Sequence, residues 1–550
     1  MTSKNLQFWP PGLPLHLERP MTSLDYNLEV AARRYPERVA IAYYGSTVTY
    51  RDLDCQVTTL AGYLQVHCDV AKGDRVALYL QNSPQFVIAF YAVLRAGGVA
   101  VPVNTMNLVE EVRHIVADSG SRVVIFGQEL ADNVLPLLGQ ELQHGLSVCY
   151  GDYLSVPTDL PVPEVVAARR LEVRGAHEWC DAMRCGADLD RVEVGPDDLA
   201  VIPYTSGTTG APKGCMHTHG SVMHTAVGSN EFSRAPKDQV VLVALPMFHV
   251  TALQLGVNGV MFSGSTMVVM TRWDRRCAAL LIERHRITAW TAIPTMLIDF
   301  LAQPELDGFD LSSLAMLTGG GAAMPKAVAE RIHALWGLSY VEGYGLSETI
   351  SATHVNPAHR PKPQCLGLPI QDTTSIIADP ETLTELPQGQ VGEILVQGPQ
   401  VFRGYWGQPQ ATEAAFAVVD GERWFRTGDL GYVDEEGYFF LVDRLKRMIN
   451  ASGYKVWPAE VESLFYAHPA IQEACVIGYR DPYRGESVKL VAVLRAGQSA
   501  TAEEIQDWAR EHMAAYKVPR AVEFVDRLPK SATGKVQWRA LQEREASTSV

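Results

Sequence analysis

Apolar positions along this chain follow two rhythms, one of three to four residues and one of short unbroken runs, and the two alternate. After an irregular, proline-rich lead-in, a helical spacing near Leu24 to Tyr35 gives way to the run AIAYY at 40–44, a helix near 51–66 and the run RVALYL at 75–80. Phe86 to Ala96 reads as a further helix, and GGVAVPVN as a turn leading into a strand. The alternation continues through RVVIF at 122–126, QVVLVALP at 239–246, STMVVM at 265–270 and ITAWTAI at 287–293. Strands separated by helices must be joined by crossovers, so the pattern predicts parallel βαβ units and an α/β fold. No short fixed repeat interrupts it.

The texture changes after Gly367. VGEILVQG at 391–398 and GYFFLVD at 437–443 are short strands bounded by Gly, Pro and Asp, with no long helix between them, which predicts a smaller β-rich subdomain. Beyond Asp443 it changes again. WPAEVESLFYAHPA opens with Pro458, carries acidic residues in its first turn and spaces Val461, Leu464 and Phe465 for one apolar face. ACVIGY and VKLVAVL read as strands and TAEEIQDWAREHM as an amphipathic helix. The expected division is a large N-terminal domain over 1–442, a hinge at 443–446 that includes Asp443 and Lys446, and a small α+β C-terminal domain over 447–550.

Composition narrows the function. The 550 residues carry 47 basic and 62 acidic side chains, a net charge of −15, interspersed rather than blocked, which argues against a nucleic-acid surface. An anionic ligand must therefore be met by local positive charge. Nine cysteines without framework spacing fit a reducing compartment, and a cytoplasmic location is expected. Cys180 and Cys185 with His177 nearby lack a second ligand pair at zinc spacing, so no metal is expected there. No basic region followed by an apolar run marks a secretory signal, and no apolar stretch reaches ~20 residues, so no transmembrane segment is expected. Peripheral membrane contact and a homodimer stay open.

The densest chemistry lies at Tyr204 to Gly214, YTSGTTGAPKG. Glycines let a backbone approach an anion, hydroxyls and N–H groups donate to its oxygens, and a lysine offsets its charge, so the stretch suits phosphate. The P-loop of NTPases requires Gly-Lys-Ser/Thr. Here Pro212 precedes Lys213 and Gly214 follows it, so the match fails at both informative positions.

YTSGTTGAPKG resembles instead the signature of the adenylate-forming superfamily of acyl-CoA synthetases, luciferases and peptide-synthetase adenylation domains. LTGGGAAMP at 317–325, VEGYGLSET at 341–349, VGEILVQGPQVFRGYW at 391–406, the run WFRTGDLGYVDEEGYFFLVDRLKRMINASGYKVWPAEVE at 424–462 and LPKSATGKVQWRAL at 528–541 match that family in its order. The resemblance covers essentially the whole chain. It implies that the C-terminal domain is mobile and that the N-terminal one performs adenylation.

By that resemblance, Thr205, Ser206, Gly207, Thr208, Thr209, Gly210 and Lys213 wrap the phosphates of ATP. Gly319, Gly320 and Gly321 form a thin wall beside the adenine, and Tyr344, between Gly343 and Gly345, offers it an aromatic face. Glu348 and the Thr205 hydroxyl are hard oxygen ligands suited to Mg²⁺ bridging phosphates. Asp429 would accept from both ribose hydroxyls, and Arg444 would hold the nucleotide from the hinge side. Lys535 would bridge the substrate carboxylate and the α-phosphate. Gly453, in MINASGYKV, is expected to line a channel for the pantetheine arm of CoA.

The implied reaction is attack by a carboxylate oxygen on the α-phosphate of ATP, giving an acyl-adenylate and pyrophosphate, then transfer to a thiol. His249, in PMFHVTALQLG, is placed beside the carboxylate, to shape or gate the site rather than to act as base. Some long-chain synthetases carry a tryptophan gate four residues on, where this chain has Leu253. Gly256, Gly320, Gly321 and Ala322 are expected to leave room for an apolar tail. The wording most resembles bacterial medium- or long-chain fatty acyl-CoA synthetases, with an aryl-acid CoA ligase or a ligase loading a carrier protein as alternatives.

Overall fold

The computed structural model describes residues 8–205, 211–234, 236, 238–321, 324–451, 454–481, 485–531 and 535–548. Two sheets organise the first part of the chain. In the nine-stranded one, Val39–Tyr43, Thr266–Val269, Val240–Val243, Ala289–Thr291, Met316–Gly320 and Tyr340–Leu346 run parallel, with antiparallel strands at both edges. The seven-stranded one is centred on Arg75–Tyr79, parallel to Val99–Pro102 and to Val123–Gly127. The expected βαβ alternation is present throughout.

One hydrophobic core joins the two sheets. All twelve residues of helix Pro84–Arg95 are buried, as a helix held between two layers must be. Its N-terminus is fixed by the Ser83 hydroxyl, which accepts from the N–H of Phe86. Arg95 is buried with it and forks onto both oxygens of Asp25 at 2.9 Å, so the charge is paired rather than stranded.

The β-rich part is a five-stranded antiparallel sheet of Thr374–Ala378, Gly392–Gln397, Glu422–Val433, Phe416–Val419 and Phe439–Arg444. The chain then leaves it. Ile449–Ala451 already belongs to a different five-stranded sheet, whose long hairpin pairs Ile471–Asp481 with Gly485–Leu494 and packs with its own core. Between the two sheets, the Asp443 carboxylate accepts from the N–H of Arg444 at 2.6 Å and of Ala459 at 2.7 Å. It thus ties the end of one sheet to the first turn of helix Pro458–Phe465 in the next. The side chain of Lys446 lies outside the described residues.

Among the described residues, no helix is long and apolar enough to cross a membrane.

Candidate active site

In open α/β sheets the loops that follow the parallel strands converge outside their carboxyl ends. A cleft of about 1260 Å³, open mouth included, lies there, over the nine-stranded sheet. The strand register stacks its floor in layers. Gly320 pairs with Gly343, Thr318 with Val341 and Thr291, and Met316 with Ala289, which in turn pairs with Val241. All of these line the cleft. Period-two alternation explains why Met316, Thr318 and Gly320 of one strand, and Ala289 and Thr291 of the next, share this face.

Lys535 enters the mouth of this cleft from the C-terminal domain. The residue as a whole is exposed, but its side chain reaches Gly321, where an added Cβ would stand 3.0 Å from Cε and 3.5 Å from Nζ of the lysine. Gly321 also has φ +81°, so a side chain here would be strained as well as obstructive. Burial, and then the charge of Arg444, pull Lys535 below the ordinary lysine value, while Asp429 opposes them.

Asp429 is buried. Its Oδ2 accepts from the Tyr344 hydroxyl at 2.7 Å. Arg444 Nε stands 3.1 Å from its Oδ1 as an ion pair, without hydrogen-bond alignment, so that oxygen has no donor among the described residues. A buried carboxylate oxygen that accepts no hydrogen bond from the protein suits a ligand hydroxyl. Behind Tyr344 lies His354, with ring centroids 5.6 Å apart; burial holds its pKa down to about 3, so this support is neutral.

The glycine-rich loop is closed at its base. The N–H of Thr205 donates to the carbonyl of Lys213 at 2.9 Å, and the N–H of Lys213 to the Thr205 hydroxyl at 3.4 Å. Ser206, Gly207, Thr208, Thr209 and Gly210, at its tip, lie outside the described residues. Lys213 Nζ sits 5.0 Å from the centroid of the Tyr405 ring, and the Tyr405 hydroxyl donates to Glu348 Oε1 at 2.8 Å. Lysine, tyrosine and glutamate thus form one line.

Burial pushes the Glu348 carboxyl up, with Tyr405 partly offsetting it. A carboxylate so placed favours a cation. Among the described residues, no three His, Cys, Asp or Glu side chains gather to hold a metal. Glu348 with one hydroxyl matches Mg²⁺, which is commonly held by one or two carboxylates plus substrate phosphates.

His249 lines the cleft and caps the short helix Val250–Ala252, its Nδ1 accepting from the N–H of Thr251 at 3.4 Å. With Nδ1 as acceptor the ring proton sits on Nε2. Burial, and then Lys535, lower its pKa to about 4, so it is a neutral donor rather than a charged one.

Leu253 departs from expectation. It is fully buried in the hydrophobic core and does not line the cleft; Leu255 does. His249 stands before the helix in extended conformation, and the lining positions Thr251 and Leu255 are four residues apart, so Leu253 between them turns to the core, where a π-helical stretch over Leu253–Asn258 begins. Gly256 belongs to the same stretch and also does not line the cleft; a Cβ there would meet Val243 at 3.0 Å, so its smallness serves packing on the sheet. Gly319 and Gly320 do line it, yet added Cβ atoms would stand 2.0 Å from the carbonyl of Ala292 and 2.3 Å from that of Gly343, so close strand packing requires them too. Gly343 and Gly345 flank Tyr344 in the lining. Ala322 and Gly453 fall outside the described residues.

Sequence reasoning missed Tyr405, although it stands in the quoted stretch FRGYW, and Glu342. The carboxylate of Glu342 accepts from the N–H of Met324 at 2.7 Å and of Cys365 at 2.8 Å, bracing the cleft wall from behind. A lone acid inside an apolar strand was the available signal.

Fold and site together define an adenylate-forming enzyme of two unequal domains. The chain belongs to the AMP-binding enzyme family: that family matches residues 28–406, and the AMP-binding enzyme C-terminal domain matches 460–535. It is 36% identical to a long-chain-fatty-acid–CoA ligase of Bacillus subtilis (strain 168), over 98% of this chain and 97% of that one. It is 36% identical to a feruloyl-CoA synthase of Amycolatopsis sp, over 92% of this chain and 95% of that one. Among solved structures, ATP-bound MatB from Rhodopseudomonas palustris superposes with TM-score 0.82 at 28% identity, covering 94% of this chain and 99% of that one. The protein is an AMP-forming acid–CoA ligase.

Proposed function

We propose that the enzyme activates a medium- or long-chain fatty acid, using ATP and Mg²⁺ and delivering the acyl group to CoA. The observation that carries this reading is the length of the cleft, which continues from Lys535 and His249 down three layers of the sheet to Met316 and Val241, past mainly apolar walls. A pocket for one ring would need only the first layers. The similarity to a long-chain-fatty-acid–CoA ligase supports it. An aryl acid is the second reading, favoured by the equal identity to a feruloyl-CoA synthase.

In this reading the acid enters as its carboxylate and receives a hydrogen bond from His249 Nε2, which orients it without removing a proton. Lys535 offsets the charge that develops as a carboxylate oxygen attacks the α-phosphate and pyrophosphate leaves. Asp429 accepts from the ribose through its free oxygen, Tyr344 presents its ring to the adenine, and Arg444 holds Asp429 from the hinge side. Lys213 and the loop it closes meet the phosphates. Glu348 and Thr205 would hold Mg²⁺, which supplies charge neutralisation of the phosphates; Tyr405 orients Glu348 from behind.

Transfer to CoA needs Lys535 withdrawn, since it occupies the mouth beside Gly321. The connection at Asp443 to Lys446 is the proposed pivot. All nine cysteines are unpaired, which supports a reducing, cytoplasmic setting.

The test is pyrophosphate release with acetate, hexanoate, decanoate, palmitate, benzoate and a hydroxylated aryl acid, each with and without CoA. A maximum at the longer aliphatic acids is expected. A maximum at benzoates would keep the chemistry and replace the substrate class.

A further inference from the structure

The far end of the cleft is polar. Where an apolar tail would be expected to stop against leucines and valines, the lining includes Ser229, Asn230 and the C-cap Ser233 at the end of one helix and Gln239 just before the next strand. Ser229 and Gln239 are 5% and 6% exposed, and Ser229 Oγ and Gln239 Nε2 have no hydrogen-bond partner among the described residues. Buried donors are nearly always paired, so two orphans at one end of a binding cleft ask for a ligand atom. Their neighbours keep the wall rigid. Asn230 spends both amide hydrogens on the carbonyls of Ala226 and Gly259, at 2.9 and 3.0 Å, and Ser233 donates to the carbonyl of Ser229 at 2.6 Å.

Among the described residues no charged side chain lines this end; the ammonium of Lys535 stands at the opposite one. A second carboxylate would therefore be buried without a counter-charge, which is costly. A neutral group that accepts and donates is what the cluster can satisfy.

The sheet supplies a ruler. Gly320 lies four residues, or ~13 Å, from Met316 along its strand at ~3.3 Å per residue. Met316 is level with Val241 through Ala289, and Gln239 lies two residues, ~7 Å, further on the same face. A chain of single bonds advances ~1.2 Å per bond, as the polypeptide does at ~3.3–3.6 Å per three. Counted from the level of Gly320, Met316 thus stands roughly 11 bonds along the cleft and Gln239 roughly 17.

We propose that the acid activated here carries a neutral hydrogen-bonding group, a hydroxyl or a carbonyl, near the end of its chain remote from the carboxylate, and that Ser229 and Gln239 recognise it. This inference rests on the acid–CoA ligase reading of the same cleft and adds the chemistry of the tail.

The test compares kcat/KM for CoA-dependent pyrophosphate release with dodecanoate against ω-hydroxydodecanoate, hexadecanoate against ω-hydroxyhexadecanoate, and the corresponding dicarboxylates. The hydroxy acid of at least one pair should exceed its alkyl partner about tenfold or more, because a site built to bond a hydroxyl rejects the analogue lacking it. The dicarboxylate should be the poorest of its set. The double variant Ser229→Ala, Gln239→Met should erase the preference while hexanoate, too short to reach the cluster, turns over as in the wild type. Equal or weaker turnover of both hydroxy acids would mean that the far end merely opens to solvent, and would overturn the proposal. So would a preference that survives the double substitution, or a dicarboxylate that matches the hydroxy acid. Absence of CoA-dependent pyrophosphate release with every acid would instead remove the ligase reading, and the inference with it.

Discussion

The two ends of one cleft are built on opposite principles. Lys535 and Tyr344 line the mouth, and beyond them charged groups from distant parts of the chain are paired: Arg444 against Asp429, which accepts from Tyr344, and Lys213 over Tyr405, which donates to Glu348. At the far end every described lining group is neutral, and the polar ones come from the end of one helix and the residue before the next strand. The mouth is shaped for chemistry that creates charge and the far end for telling neutral tails apart. The first needs fixed positive groups whatever the acid; the second is free to differ between relatives.

The sharpest way to break that contrast is at its most charged point. Lys535→Ala should lower adenylate formation ~10²–10³-fold, the usual cost of removing a donor aimed at developing charge. Conversion of supplied acyl-adenylate to thioester should persist, because that step needs the lysine out of the mouth. Both half-reactions are measured separately, by pyrophosphate release and by thioester formation from synthetic adenylate. Equal loss of both would sink the division of labour.

The wall between the two ends offers a second test. Glu342 pairs with Gly319 in the sheet and holds the backbone on both sides of it, yet among the described residues no basic side chain pairs with its carboxylate, and burial raises its pKa from 4.5 to about 7. The folded state therefore keeps this proton over a range in which the unfolded chain gives it up. Its stabilising contribution is full below about pH 4.5 and is lost as the pH rises through about 7, a change of about 3 kcal/mol at 1.36 kcal/mol per unit. Denaturant unfolding from pH 4.5 to 8 should show the wild type losing stability relative to Glu342→Gln across that window. Parallel profiles would show that the carboxylate is ionised throughout.

How far each end was legible in the sequence follows from how it is built. The mouth is made of contiguous signatures, so Thr205, Lys213, Glu348, Asp429 and Lys535 could be named from short stretches, and the alternation of apolar runs gave the α/β layers around them. Their pairings could not. Tyr405 reaches Glu348 across 57 residues and Tyr344 reaches Asp429 across 85, distances over which no local pattern operates. The far end carries no signature at all. Ser229 and Gln239 line the same end of the cleft from a helix and from the residue before the next strand, and Leu255 rather than Leu253 lines the wall because His249 precedes the helix and does not set its face.

That exchange yields the smallest and most local test. Had His249 begun the helix, a spacing of four would set Leu253 at the wall. His249 is instead an extended N-cap, the wall is set by Thr251 and Leu255, and Leu253 lies in the core. Leu255→Trp should therefore shift the chain-length optimum of CoA-dependent turnover toward shorter acids, with a melting temperature close to the wild type. Leu253→Trp should leave the optimum in place and cost about 1–3 kcal/mol of stability, because it overfills a packed core. A shortened profile from the Leu253 variant would make Leu253 the gate. The reverse outcome ties the depth of the cleft to Leu255, so that the far end can be retuned without disturbing the charges at its mouth.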